Sequence, residues 1–240
     1  MSRSSSENTQ NESPQYPWPR RLFVRWLLKA GITFFSSILT RWKVEGAEHV
    51  PETGPLIVVI NHFHFLDAVM LIRAAPWPLE FLADFDMPNV PAPLKFFPNA
   101  YQTYDVAQGT PNLEALRASE AILSQGGVLG IFPEGRVHEP PLRPALPGAA
   151  FLALRTGAPL LPVGIHSDYG WKVFNSLIDR GRRLQVTCRF GEVFGPLESG
   201  NRRRPSRPEI AMAGQRIMSE IARLLPEPVR GAYPHQDGAG

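Results

Sequence analysis

The chain has 240 residues, 43% of them hydrophobic, with one cysteine and a formal net charge of +3. That length supports one substantial core and excludes two comfortable domains, and a lone Cys188 excludes a disulfide within the chain. The modest charge places any basic partner surface in local clusters rather than over the whole molecule.

Residues 1–17, MSRSSSENTQNESPQYP, are rich in Ser, Asn, Gln and Pro and are expected to be disordered. They are polar and lack a signal-peptide cleavage pattern, so a cytoplasmic location is the simplest expectation. Residues 18–43 differ sharply. There Leu22, Phe23, Trp26, Leu27, Phe34, Phe35, Ile38 and Leu39 are interleaved with Arg20, Arg21, Arg25, Lys29, Arg41 and Lys43, and no acidic residue occurs. A basic, aromatic-rich helix over 22–42 suits the surface of an anionic bilayer, peripheral and on the cytoplasmic face. Arg25 and Lys29 count against a full span. The competing reading is an amphipathic helix packed on the protein's own core.

Residues 55–60 form a short apolar run rich in β-branched side chains, which predicts a strand buried on both faces. Asn61 and His62 follow at its carboxyl end. From Leu66 the sequence LDAVMLIRAA has helical periodicity, which places Asp67 in a first turn where the helix dipole favours a carboxylate. Residues five apart do not share a face of one helix, so His62 and Asp67 meet only across a strand, turn and helix start. Histidine is suited to accept a proton at neutral pH, and a carboxylate on its far nitrogen fixes the tautomer. His62 is therefore a candidate general base oriented by Asp67, against the plainer alternative of a capping His or a surface pair.

Residues 79–85 predict a second strand. Residues 87–111 are proline-rich and irregular, longer than a plain connection, and Leu94, Phe96, Phe97 and Tyr101 there line an apolar tunnel, cover the site or fill the core. A helix over 118–125 ends at Gly126 and Gly127. A strand over 128–132 then delivers Pro133, Glu134, Gly135 and Arg136 to its carboxyl end, where ligands bind in open α/β sheets. A helix closed by Gly157, strands over 158–165 and 184–194, and a helix between Pro208 and Pro226 complete the pattern. Cys188 falls in mid-strand and reads as a core residue. The basic loop 201–208, NRRRPSRP, reads as solvated or as a headgroup contact; no nucleic-acid reader motif accompanies it. The alternation predicts an α/β fold, a mostly parallel central sheet flanked by helices, with an N-terminal amphipathic helix, a domain over 44–225 and a flexible tail over 226–240.

These blocks together resemble the glycerolipid acyltransferases of the lysophosphatidate acyltransferase type. NHFHFLD, from Asn61 to Asp67, matches the family's N-H-x-x-x-x-D block; FPEGR, from Phe132 to Arg136, matches its F-P-E-G block; APLLPVGI, from Ala158 to Ile165, matches its proline-containing strand. The resemblance implies transfer of a fatty acyl group from acyl-CoA or acyl-ACP to a hydroxyl of a lysophospholipid or related lipid acceptor, with no other cofactor and no metal. It implies that His62 is the base, that Asp67 orients it, that Asn61, Glu134, Gly135 and Arg136 bind substrate, and that Pro162 shapes the wall of the site. The chain departs from the family in having His64 two after the histidine, Arg136 directly after Gly135, and Asp84 and Asp105 about where the family often has cations. Two anions near a phosphate are unfavourable, which predicts an acceptor less anionic than lysophosphatidate.

Three rivals stand beside this reading. His62, His64, Asp67 and His138 invite a metal hydrolase, although Phe65 and Leu66 interrupt the usual H-x-H continuation. A serine hydrolase lacks its G-x-S-x-G elbow. A membrane-surface lipid-binding module of the same fold, catalytically weak, is the non-enzymatic alternative.

Overall fold

The computed structural model describes residues 16–83, 100–101, 104–105, 113–167 and 183–233. Within them, α1 (Leu22–Leu39) leads into β1 (Thr40–Glu45), β2 (Leu56–Ile60), α2 (Asp67–Ala74), β3 (Leu79–Ala83) and β4 (Tyr104–Asp105). The chain continues through α3 (Leu113–Ser124), β5 (Val128–Ile131), α4 (Pro147–Thr156), β6 (Leu160–Ser167), β7 (Leu184–Phe190) and α5 (Arg207–Arg223).

The strands form one seven-stranded sheet in the order β1-β7-β6-β2-β5-β3-β4. All neighbours pair in parallel except β6 and β7, which are antiparallel. β2 lies between β6 and β5 and all five of its residues are buried. Its alternation explains why. Leu56, Val58 and Ile60 join Met70, Leu71 and Ile72 of α2, with Leu28 and Ile32 of α1 packed alongside. Ile57 and Val59 face the other way, onto Ile122 of α3, Leu152 and Ala153 of α4, and Ile217 and Ile221 of α5. The result is helices on both faces of a mostly parallel sheet, as the alternation predicted.

Several boundaries differ from expectation. The apolar run expected as one helix to residue 42 splits at Leu39, and Thr40–Glu45 becomes an edge strand paired in register with Leu184–Arg189 of β7. An edge strand half open to solvent carries no continuous apolar signature. α3 starts at Leu113, five residues before the predicted start, and so brings Leu116 onto the core. Tyr16, expected to belong to the disordered stretch, is buried, and its carbonyl accepts from Gln125 Nε2 at 2.8 Å. After Pro226 the chain does not simply trail away: a 3-10 helix (Glu227–Val229) follows, and Val229 and Tyr233 pack on the core. Asp84, Leu94, Phe96 and Phe97 lie outside the described residues, while Tyr101 is buried with its hydroxyl on Leu79 O at 3.0 Å.

α1 is only partly a free surface. Arg25, expected toward lipid headgroups, is buried and donates to both carboxylate oxygens of Glu80 on β3, at 2.7 and 2.8 Å. Arg20 joins the same carboxylate at 2.8 Å, and Lys29 Nζ donates to Ala75 O. Burial lowers the pKa of Lys29. The opposite side of the helix stays bare: Phe23 is 74% exposed, Trp26 66% and Phe35 64%. By length and composition α1 is also sufficient to cross a membrane.

Candidate active site

The carboxyl ends of β2 and β5 come together because the two strands pair in parallel, Leu56 with Val128 through Val59 with Ile131. His62 and Glu134 therefore leave the sheet at one place, 72 residues apart in sequence. The His62 backbone N–H donates to Glu134 Oε2 at 2.8 Å. The His62 ring stacks on Phe132, with centroids 3.8 Å apart and planes 19° from parallel.

A turn from His64 to Asp67 starts α2, with Asp67 N–H on His64 O at 3.0 Å. It aims Asp67 back at the strand end. Asp67 Oδ2 accepts from the His64 backbone N–H at 2.7 Å and faces His62 Nδ1 at 3.4 Å. Asp67 is buried, while His62 remains partly open to solvent. A carboxylate facing Nδ1 draws the ring proton there and leaves Nε2 with its lone pair, the form a base needs. His64 is a different histidine. Burial lowers its pKa, against the opposing charge of Asp67, and its Nδ1 accepts from Leu66 N–H at 3.1 Å. It holds the turn as a neutral ring.

Glu134 faces inward. Its Oε1 accepts from His138 Nε2 at 2.6 Å and from Arg143 N–H at 2.9 Å, while Oε2 holds His62. A carboxylate whose oxygens already hold three protein donors braces the strand ends around His62. Asn61 is likewise held by protein groups. It is fully buried, with Nδ2 donating to Ile165 O at 2.9 Å and Oδ1 accepting from Ile165 N–H at 2.8 Å. That amide ties β2 to β6, so it steadies the site from behind.

Gly135 has φ +77°, and a Cβ there would run into Leu146. Only glycine turns the chain this way without strain, which sends Arg136 outward to an exposed position beside the site. Pro162 lies inside the sheet in register with Val59, and its carbonyl accepts from Gly191 N–H at 2.9 Å just past the end of β7. The wall on this strand is made instead by Ile165, His166 and Ser167.

That wall belongs to an apolar cavity of about 290 Å³, bounded by Phe35 and Leu39 of α1, Phe63, Leu66, Met70 and Val229. His64 and Asp67 line it too, so the cavity reaches the site. The sequence reading missed the cavity because its walls come from six separated segments. It also missed the bond from Glu134 to His62, and it named His138 only as a possible metal ligand or helper. Among the described residues, no three His, Cys, Asp or Glu side chains gather as a metal site. Cys188 is buried, and burial pushes its thiol up to about 12.

The chain is similar to known proteins over much of its length. The family model described as Acyltransferase matches residues 41–166, just over half of the chain. A 1-acyl-sn-glycerol-3-phosphate acyltransferase of Borreliella burgdorferi is 26% identical over 153 residues, covering 60% of this chain and 58% of its own length. The crystal structure of the 1-acyl-sn-glycerophosphate acyltransferase PlsC from Thermotoga maritima superposes with a TM-score of 0.57 at 21% identity, over 86% of this chain and 82% of that one, and at that identity shows a shared fold. On the family match, this chain belongs to the acyltransferase family, that of the glycerolipid acyltransferases.

Proposed function

We propose that the protein transfers a fatty acyl group from a thioester, acyl-CoA or acyl-ACP, to a hydroxyl of a lysophospholipid or related lipid acceptor. The observation that carries this reading is His62 facing Asp67 at a strand end beside an apolar cavity. His62 Nε2 takes the proton from the acceptor hydroxyl as its oxygen attacks the thioester carbonyl. Asp67 steadies the imidazolium as it forms. Collapse of the tetrahedral intermediate expels the thiolate, and His62 returns the proton to its sulfur. The 3.4 Å separation of His62 Nδ1 and Asp67 Oδ2 is long for a hydrogen bond, as catalytic pairs often are before substrate binds.

Arg136 is the group suited to an acceptor phosphate, since its planar fork of donors matches phosphate oxygens. Gly135 lets the backbone approach the acceptor, while Glu134 and Asn61 act indirectly by holding the strand ends. The apolar cavity takes a hydrocarbon chain of the donor or acceptor. The exposed side of α1 lies on an anionic membrane surface, peripheral and on the cytoplasmic face, and the far side is held by Glu80.

Product mass spectrometry of purified protein, supplied with mixed acyl thioesters and with lysophosphatidate and less anionic acceptors, tests both the activity and the acceptor. Acylated acceptor is the expected product. His62→Ala should lower its rate by about 10²- to 10⁴-fold, the usual worth of a positioned base, while leaving vesicle binding unchanged. Absence of transfer in wild type and variant alike would leave a lipid-binding module instead.

A further inference from the structure

We infer that His138 is a positioning residue for His62, acting through Glu134 as a buried ring protonated on both nitrogens. The inference rests on the proposed role of His62 as base. Glu134 and His138 are each only 4% exposed. A carboxylate so buried needs donors on its oxygens and a compensating charge. Two of its donors are neutral backbone N–H groups, from His62 and Arg143. The third is His138 Nε2, at 2.6 Å, a distance short enough for a charge-assisted bond.

The other ring nitrogen decides the protonation. His138 Nδ1 lies 2.8 Å from the carbonyl oxygen of Glu139. A carbonyl oxygen only accepts, and so does an ionised carboxylate. Beside an ionised Glu134, a neutral imidazole with its one N–H would set a lone pair against an oxygen at one of these two contacts. With hydrogens on both nitrogens each contact is a bond, and the ring's positive charge balances Glu134. Phe63 closes the remaining space, edge to face with the ring at 5.6 Å.

His138 also reaches His62 by a second route. Its backbone N–H donates to His62 O at 3.1 Å. Both peptide groups flanking the His62 α-carbon are thus held from one place: the carbonyl by His138 directly, the N–H through Glu134. With Asn61 locked to Ile165 behind it, the His62 backbone is held on both sides, and its ring lies against Phe132 and faces Asp67. Positioning on this scale matters because a displacement of about 1 Å at a reacting group costs up to about 100-fold in rate.

Three measurements on the full chain test this. Nitrogen-15 spectra at pH 7 should place both ring nitrogens of His138 in the protonated range, and His138→Ala should strip the His62 backbone amide of its protection from hydrogen exchange. In acyl transfer, His138→Ala should lower kcat by about 10- to 100-fold with the acceptor KM within about twofold, the pattern of a misplaced base rather than a lost binding contact. His138→Gln keeps a donor near the Nε2 position, and should keep the amide protected and recover most of the rate, so it carries the test if the alanine variant does not fold. A bare ring nitrogen, an unchanged His62 amide in His138→Ala, or an unchanged kcat overturns the inference. Should wild-type protein transfer no acyl group, the proposed function fails, and the two spectral measurements still decide the clamp by themselves.

Discussion

Asp67 Oδ2 serves two donors at once, the His64 backbone and the His62 ring, and the balance between them sets the chemistry of the site. In Asp67→Asn an amide oxygen in the Oδ2 position accepts from His64 N–H and still faces His62 Nδ1, so the ring keeps its tautomer. The amide carries no charge, however, and the imidazolium that the proposed base forms loses the carboxylate that steadies it. Initial rates of acyl transfer should fall about 10²- to 10⁴-fold at neutral pH, with the melting transition little changed. At this scale the pair itself was legible, because five residues across a strand end and a helix start bring the two side chains together by local geometry alone. The inward direction of Glu134 was not. Its partners, His62 and Arg143, come from a neighbouring strand end and a later loop, and charge at a strand end reads the same whether it faces a ligand or a peptide N–H.

At the scale of single elements, caps and turns did as much as apolar periodicity to set the boundaries. Ser206 begins α5 with a reciprocal capping box: its hydroxyl accepts from Glu209 N–H at 3.4 Å, and Glu209 Oε2 accepts from Ser206 N–H at 2.6 Å. Ser206→Ala should cost about 1 kcal/mol in urea unfolding. The Ser206 side chain and backbone, with Gly200 N–H, hold the Glu209 carboxyl at about 2, below its ordinary 4.5. A lowered carboxyl pKa stabilises the fold above the unfolded value and loses that effect as pH falls toward the folded one. The difference between Ser206→Ala and wild type in a series of urea melts should therefore shrink between pH 4.5 and 2. β1 shows the opposite case. Trp42, Arg41 and Lys43 carry the composition of the helix before them, and only hydrogen bonding to β7 makes them a strand.

On the scale of the whole molecule, α1 divides its residues between two neighbours. Arg25, Arg20 and Lys29 turn to the body, where Glu80 and Ala75 O receive them, while Phe23, Trp26, Phe34 and Phe35 stay exposed. Exposed aromatic residues over this area exceed the scatter normal for a soluble surface and suit an interface. Flotation with vesicles of mixed zwitterionic and anionic lipid should recover the wild-type protein, and Phe23→Glu with Trp26→Glu should leave most of it unbound while the melting transition stays in place. The same helix contributes Phe35 and Leu39 to the cavity that reaches Asp67, so the exposed aromatic face and the site share an element. The basic loop 201–208 stands apart from the site. Arg202 lies against Gly157, before the start of β6, at the end of the sheet opposite His62.

By itself the sequence determined the α/β class, the strand-turn-helix that carries His62 and Asp67, the glycine turn after Glu134 and the family, because each is written in a short stretch whose periodicity or residue types act locally. Only the tertiary structure decided which groups face inward: Arg25 onto Glu80, Asn61 onto Ile165, Glu134 onto His62 and His138, and the walls of the apolar cavity. The physical reason is the same in each case. A charge or an amide declares its chemistry in sequence, but its partner is chosen by strand pairing and helix packing across tens of residues, and burial then obliges it to bond with whatever the fold has brought near.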